Sequence, residues 1–317
     1  MLTNLATIPI TALTTLASVL VQIRPLGWYP GWRFAAGESE LGWIGRQRLR
    51  LWHYFERAQL QVPCRIRWYD KIKLEIYLGN DLSRCLYVGG AYEPNEFMFL
   101  SRVLQPGMTF IDVGANDGLY SLFASRRVGP AGKVFAFEPS PREYDRLIKN
   151  ISLNRLTNVV PLQTAASDRA GTATLRIAGF GHEGQNTLGN FSYEITGKGT
   201  EHVSITTLDE VVRASRIEQV DVIKMDVEGG ELTALRGGAA LIERFRPLIL
   251  LELLEIALQH QGANRQSVIK FLQERDYSFL FFGPSGRPVS VAQVELDGVN
   301  IIAVPRERAC LIVKAII

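Results

Sequence analysis

A doubly wound α/β sheet of seven mostly parallel strands, preceded by an N-terminal extension, is the fold class this sequence predicts. Three observations point to it. Beyond Pro106 and Gly107 the chain falls into short apolar runs separated by helical segments, the pattern of strands buried on both faces. Helix start and stop signals lie between those runs. The chain of 317 residues, 47% hydrophobic and 21% charged, is also long enough to bury a large core.

Taken in order, Met1 to Ile23 has no charged side chain. It is long enough to span a bilayer, but five threonines and Pro9 weaken that reading, and no basic residue precedes it as a secretory signal requires. A docked or peripheral helix is expected over residues 1–23, with membrane contact as the alternative. Residues 24–105 form an aromatic, arginine-rich lead-in, in which "KIKLEIYL" from Lys71 alternates like a strand. Residues 106–317 carry the seven runs: "MTFIDVG" from Met108, "KVFAFEP" from Lys133, "NVVPLQTAAS" from Asn158, "VDVIKMDV" from Val220, "PLILLEL" from Pro247, "SFLFF" from Ser278 and "GVNIIAVP" from Gly298. Ser140-Pro141-Arg142-Glu143 has a capping serine, a proline at the first helical position and a glutamate three residues past the cap, so a helix starts there. Gly237 and Gly238 end the helix that follows Glu231. The polar, glycine-rich stretch from Gly179 to Gly199 has no period and is expected to cover an acceptor site.

A net charge of +3 is too small to imply a nucleic-acid surface, and the basic residues between Gly45 and Lys73 alternate with apolar ones as solvated faces do. Cys64, Cys85 and Cys310 are widely spaced and odd in number, so neither zinc nor a disulfide framework is expected. A reducing cytoplasm is the simplest location, with membrane association through residues 1–23 left open.

The stretch "FIDVGANDGLYSLFASR", Phe110 to Arg126, places an acid and two glycines between a strand and a helix. It is not the dinucleotide G-x-G-x-x-G, because its glycines stand four apart and imply no pyrophosphate clamp. It offers a tight turn at Gly114, close passage of the next helix at Gly118, and a carboxylate, Asp112, at a strand's carboxyl end, able to hold an ammonium group. Glu138 ends the next strand about twenty residues on, where an acid chelates ribose hydroxyls. An adenosine carrying a positive tail and no phosphate satisfies both acids, and S-adenosylmethionine fits that description.

"AYEPNEF" from Ala91, "PGMTFIDVGANDG" from Pro106, "FEPSP" from Phe137, "AASDRAG" from Ala165, "TTLDEV" from Thr206 and "IKMDVEGGELTALRG" from Ile223 together resemble the FkbM-type methyltransferases. The resemblance covers roughly Gly90 to Pro305. It implies a Rossmann-like, class I methyltransferase fold and transfer of a methyl group from S-adenosylmethionine, usually to a hydroxyl oxygen. Carried over by position, Asp112, Gly114, Asn116 and Gly118 line the methionine end and Glu138 the ribose, with Ser140 beside it. Ala166, at the end of the third strand, lies near adenine, and Asp168 follows it.

Methyl transfer to a hydroxyl needs an aligned nucleophile and gains from a base. The fourth strand ends in Asp226 and Glu228, which in a strand share one side, so that pairing raises the pKa of one of them. Asp226 is the first choice of base and Glu228 the second, unless Glu228 and Glu231 merely favour the next helix's positive end. His182 is a third choice, from the loop. Glu252 and Glu255 follow the fifth strand and can hold acceptor hydroxyls. Asp226 with Glu252 could instead hold a divalent ion, but without a His/Cys cluster no metal is expected. The expected activity is O-methylation of a sugar, glycolipid or other small hydroxylated acceptor. The alternatives are a nucleic-acid or protein methyltransferase and a non-catalytic cofactor-binding module.

Overall fold

The computed structural model describes residues 9–23, 42–192, 194–283, 286–290 and 299–309. The first eight residues of the uncharged segment, the lead-in from Arg24 to Leu41, and Cys310 lie outside them. Cys64 and Cys85 carry free thiols.

The lead-in contributes a hairpin, β1 (Val62–Trp68) and β2 (Ile72–Leu78). Seven strands of the main sheet come from the seven apolar runs: β3 (Thr109–Val113), β4 (Lys133–Phe137), β5 (Val159–Leu162), β9 (Val222–Met225), β10 (Leu248–Leu253), β11 (Tyr277–Phe282) and β13 (Val299–Pro305). An eighth, β12 (Pro288–Ser290), pairs with β11 at the edge. Between β5 and β9 the chain forms a separate three-stranded sheet of β6 (Ala165–Ala166), β7 (Gly171–Ala178) and β8 (Gly197–Thr206).

The order across the main sheet is β12-β11-β13-β10-β9-β3-β4-β5. Pairing is parallel from β10 through to β5 and antiparallel on both sides of β13 and β11. The direction of winding reverses between β3 and β9, and the crevice at the carboxyl ends there is where such sheets bind ligands.

Alternation explains why the runs are apolar throughout. Phe110, Val134, Val222, Leu248, Leu250 and Ile302 point to one face and join a core with the lead-in and the helices Pro94–Val103, Leu119–Val128 and Pro141–Asn154. Ile111, Val113, Phe135, Phe137, Ile223, Met225 and Leu251 point to the other, beneath the helices Leu208–Ala214, Ala239–Phe245 and Arg265–Gln273. By the same parity Asp112, Lys224, Glu252 and Asn300 fall on the first face, at its carboxyl edge. Strand register sets Asp112 against Lys224 and Glu252 against Asn300.

The lead-in is bound to this core through backbone groups. Asn150 Oδ1 accepts from the Glu75 amide at 2.8 Å, Asn154 Oδ1 accepts from the Lys73 amide at 2.9 Å, and Asn150 Nδ2 donates to the Asp117 carbonyl at 2.9 Å. Two side chains thus cover the free edge of β2 and tie it to the turn after β3. The helix Ile10–Ile23 is docked, burying Leu13, Ala17 and Leu20, and its Ala17 carbonyl accepts from the Tyr87 hydroxyl at 3.2 Å. Among the described residues no helix is long and apolar enough to cross a membrane.

Three local readings differ. Helix Pro141–Asn154 starts where expected, but the Ser140 side chain makes no capping bond. Its backbone N–H donates to Glu138 Oε1 at 2.9 Å instead, and Glu143 is taken by Arg142 and Asn186. Ala166 lies beyond the third strand, which ends at Leu162, and pairs with Thr206 in the small sheet. Asp226 and Glu228 lie past the end of β9 in a turn, with Glu228 at φ 50°, so strand alternation does not govern them.

Gly114 carries the tightest passage in the sheet. Its φ is 86°, and a Cβ there would stand 1.9 Å from the Asp226 carbonyl oxygen. Gly114→Ala should therefore cost about 1–2 kcal/mol in left-handed strain and roughly 1–3 kcal/mol more in displaced packing. Urea denaturation at equilibrium reads the sum, and a variant as stable as the parent would refute the close approach.

Candidate active site

Each strand that meets at the winding reversal delivers a different chemical group. Asp112, on β3, is fully buried. Its Oδ2 accepts from Ser121 Oγ at 2.6 Å, and its Oδ1 has no partner among the described residues. Burial pushes its carboxyl up to about 6 against the pull of Lys224 and Ser121. Glu138, just past β4, accepts the Asn116 amide on Oε2 at 2.8 Å and the Ser140 amide on Oε1 at 2.9 Å. Those donors favour its charged form, but burial first and the neighbouring Glu143 next outweigh them and raise it to about 8.

The turn after β9 is closed by Glu231, whose Oε1 accepts the Val227 amide at 3.1 Å. Glu231 therefore does more than sit at a helix start: it satisfies turn donors that the strand end exposes. Glu228 is held through its backbone, its carbonyl accepting from Thr187 Oγ1 at 2.9 Å and Gln261 Nε2 at 3.0 Å. Its carboxyl is raised to about 8 by burial, then by Asp226. Glu252 is raised well above the usual range, chiefly by the charge of Asp226. One oxygen from each of Asp226, Glu228 and Glu252 lies within 4.8 Å of the others, close enough for the three to share a cation.

Glu138, Asp226, Glu228 and Glu252 line one cavity of about 290 Å³. Gly114, Asn116, Glu138 and Ala166 form one side of it, and Asp226, Glu228 and Glu252 another. The connection between β7 and β8 crosses over it with His182, Glu183 and Gln185, as a cover would. His182 Nδ1 lies 2.8 Å from Asp81 Oδ2, an acid of the lead-in. Asp112, Gly118 and Ser140 are adjacent to the lining without forming it, and Asp168, partly exposed, pairs with Arg169. Glu255 accepts the Arg265 amide at 2.8 Å and also does not line the cavity.

Sequence reasoning missed Lys224, Tyr120, Glu93 and Asn300. Lys224 is 5% exposed and its Nζ donates to Asp226 Oδ2 at 2.7 Å. The same Nζ lies 4.7 Å from the centre of the Tyr120 ring, and the Tyr120 hydroxyl bonds Glu93. Asn300 Nδ2 donates to Glu93 Oε1 at 2.8 Å. A lysine inside "VIKM" and an asparagine inside "VNIIAV" were the available signals, since neither belongs on a buried strand face without a partner.

A doubly wound sheet of this order, with acids at the ends of β3 and β4 over one cavity, is the class I methyltransferase fold. Residues 112–279, more than half of the chain, match the methyltransferase FkbM domain, and the chain belongs to that family. Methyltransferase sdnD of Sordaria araneosa is 34% identical over 153 residues, spanning 40% of this chain and 59% of that protein. Hexuronic acid methyltransferase AglP of Haloferax volcanii is 29% identical over 167 residues, 53% of this chain and 62% of that protein. The 2-O-methyltransferase NoeI of Sinorhizobium fredii is 26% identical over 160 residues, 46% and 64% respectively. Each match spans about six tenths of the relative's length.

The raised carboxyls fix how stability depends on pH. Asp112, Asp117 and Glu138 hold protons up to about 6, 7 and 8 when folded, against ordinary values of 3.8, 3.8 and 4.5. The folded chain binds more protons than the unfolded one across that window, so stability falls as pH rises through it. The melting temperature of the ligand-free protein should drop between about pH 5 and 8, and Glu138→Gln should flatten the upper part of the fall. A melting temperature that climbs over this range would contradict the burial of these acids.

Proposed function

We propose that the chain transfers a methyl group from S-adenosylmethionine to a hydroxyl of a sugar or other small polyol. One observation carries this reading: Glu138, the turn after Asp112, and Asp226 from the turn after β9 converge on one cavity. Eight carboxyl groups, charged or protonated, line it among the described residues, against one lysine and no arginine. Such a lining suits a sulfonium and an ammonium and repels phosphates, which favours a small acceptor over a nucleic acid. The relatives named for hexuronic acid and 2-O-methylation support a sugar hydroxyl.

The residues fit the cofactor. The unpartnered Oδ1 of Asp112 is a buried acceptor that can take up an ammonium through the turn, directly or by way of water. Each Glu138 oxygen is oriented by a backbone amide and keeps a lone pair for a ribose hydroxyl. Gly114 and Asn116 bring the turn's backbone to the cavity, Gly118 and Ser140 shape it from behind, and Ala166 and Asp168 belong to the adenine side. When bound, S-adenosylmethionine would supply a methyl group on a sulfonium, whose carbon–sulfur bond breaks as the acceptor oxygen bonds to the methyl carbon, releasing a neutral thioether.

Asp226 is the base. Its carboxylate receives the proton that the acceptor hydroxyl loses as the new carbon–oxygen bond forms. Glu228 and Glu252 hold their protons at neutral pH and so donate hydrogen bonds that orient the acceptor's other hydroxyls. His182 acts from the cover as a positioning group through Asp81. Docking of the helix Ile10–Ile23 against Tyr87 supports a packing role for residues 1–23 over a lipid-facing one; vesicle sedimentation of the full chain tests the alternative.

Calorimetry with S-adenosylhomocysteine should show binding that Glu138→Ala weakens by about 1–3 kcal/mol, the cost of leaving buried hydroxyls of the ligand without a partner. Equal affinity would remove Glu138 from the ribose site. With labelled S-adenosylmethionine and a polysaccharide extract as acceptor, Asp226→Asn should slow transfer about 10²- to 10⁴-fold while S-adenosylhomocysteine binds as before. Transfer that survives in Asp226→Asn and collapses in His182→Ala would move the base to the loop.

A further inference from the structure

A lysine ammonium on a buried strand face loses most of its hydration, and a methionine would fill the same space without that penalty. Lys224 is nevertheless 5% exposed, at the carboxyl end of β9, with its Nζ on the cavity. Four groups surround it. Asp226 accepts a hydrogen bond from it at 2.7 Å, Asp112 stands opposite it in the β3–β9 register, the Tyr120 ring lies beside it at 4.7 Å, and Tyr120 in turn bonds Glu93 from the lead-in. The helix Leu119–Val128 and the loop before Pro94 therefore supply the contacts that hold the ammonium in place.

We propose that Lys224 is a positioning residue for the transfer: it grips Asp226 by Oδ2 and leaves Oδ1 directed to the acceptor. The proposal rests on the reading of Asp226 as the base. Asp226 Oδ1 has no partner among the described residues, so the ion pair occupies one oxygen and leaves the other available. The second effect of the ammonium is to divide labour among three neighbouring acids. Crowded carboxylates share protons unless one is singled out by a cation. Lys224 sits against Asp226 and not against Glu228 or Glu252; beside that ion pair, burial and then the Asp226 charge raise Glu228, and the Asp226 charge and then burial raise Glu252. Lys224 itself stays protonated: burial opposes its charge, but Asp226, Glu93 and Asp112 more than compensate. Glu93 and Asn300 stand outside residues 112–279, so bracing from both flanks of the matched segment completes the device.

The test reads the ionisation of Asp226 directly. The full chain is labelled with ¹³C at aspartate carboxyl carbons and loaded with S-adenosylhomocysteine, and the signal lost in Asp226→Asn identifies Asp226. In Lys224→Met the Asp226 titration midpoint should rise by about one pH unit or more, the size of effect a lost adjacent cation produces. Lys224→Arg, which keeps the charge, should restore it. Because an unpaired buried carboxylate can unfold the methionine variant, the same titration is made on Lys224→Gln, which loses the charge but retains a donor. An unmoved midpoint in the neutral variants overturns the proposal, as does an arginine variant that behaves like them. Transfer to the polysaccharide extract supplies a second readout: the Lys224→Met/Asp226→Asn double variant should be no slower than Asp226→Asn alone, whereas multiplied losses would mean Lys224 acts independently of Asp226. If the wild type transfers no methyl group to any component, the base reading fails, while the carboxyl titration still decides whether Lys224 governs Asp226.

Discussion

The parallel pairing of β3 with β9 is the constraint on which the rest of the site depends. It places Asp112 against Lys224 on a sheet face where their neighbours Phe110 and Val222 are fully buried. Two ionisable groups on such a face need partners, and each finds its own at the edge: Ser121 for Asp112, Asp226 and Tyr120 for Lys224. The chain leaving β3 must then pass directly beside the Asp226 carbonyl, which only a residue without a Cβ permits. The glycine, the acids and the lysine are one solution to a single steric and electrostatic problem.

Much of this was legible in the sequence because parallel strands covered on both faces have to be apolar without interruption. The five parallel runs are strands for that reason, and β11 and β13, though antiparallel, carry apolar runs of the same kind. β12 escaped notice because three residues at a sheet edge leave no periodic trace, and the small sheet did so because β8 begins in the exposed stretch Gly197–Thr200, which reads as loop. The cofactor-side acids were readable from their spacing on successive strands. Lys224, Glu93 and Asn300 were not, since their significance lies in strand register and in a contact bridging more than two hundred residues of sequence between Glu93 and Asn300.

Some of the family-like motifs turn out to be architectural. In "TTLDEV", Thr207 and Glu210 cap their own helix reciprocally, and Asp209 accepts the Leu241 amide at 2.7 Å at the start of another. In "LRG", Gly237 lies so close to the Ser167 carbonyl that a Cβ would stand 1.8 Å from it. These residues set the distance between the small sheet and the helices behind β9. The approach at Gly237 is as close as that of Gly114 to the Asp226 carbonyl, yet Thr207, Asp209, Glu210 and Gly237 do not line the cavity.

The position of β13 has a consequence for how this family can be recombined. The matched segment ends at residue 279, inside β11, yet β13 comes from residues 299–305 and lies between β10 and β11. A chimera cut at the limits of sequence similarity would pull a central plank from the sheet and, with it, the Asn300 amide that braces Glu93. Inheritance of the acceptor side in exchanges between relatives must therefore follow the spatial weave of the strands and not the linear limits of resemblance, with the closing strand travelling in the same genetic block as the lysine it helps to hold.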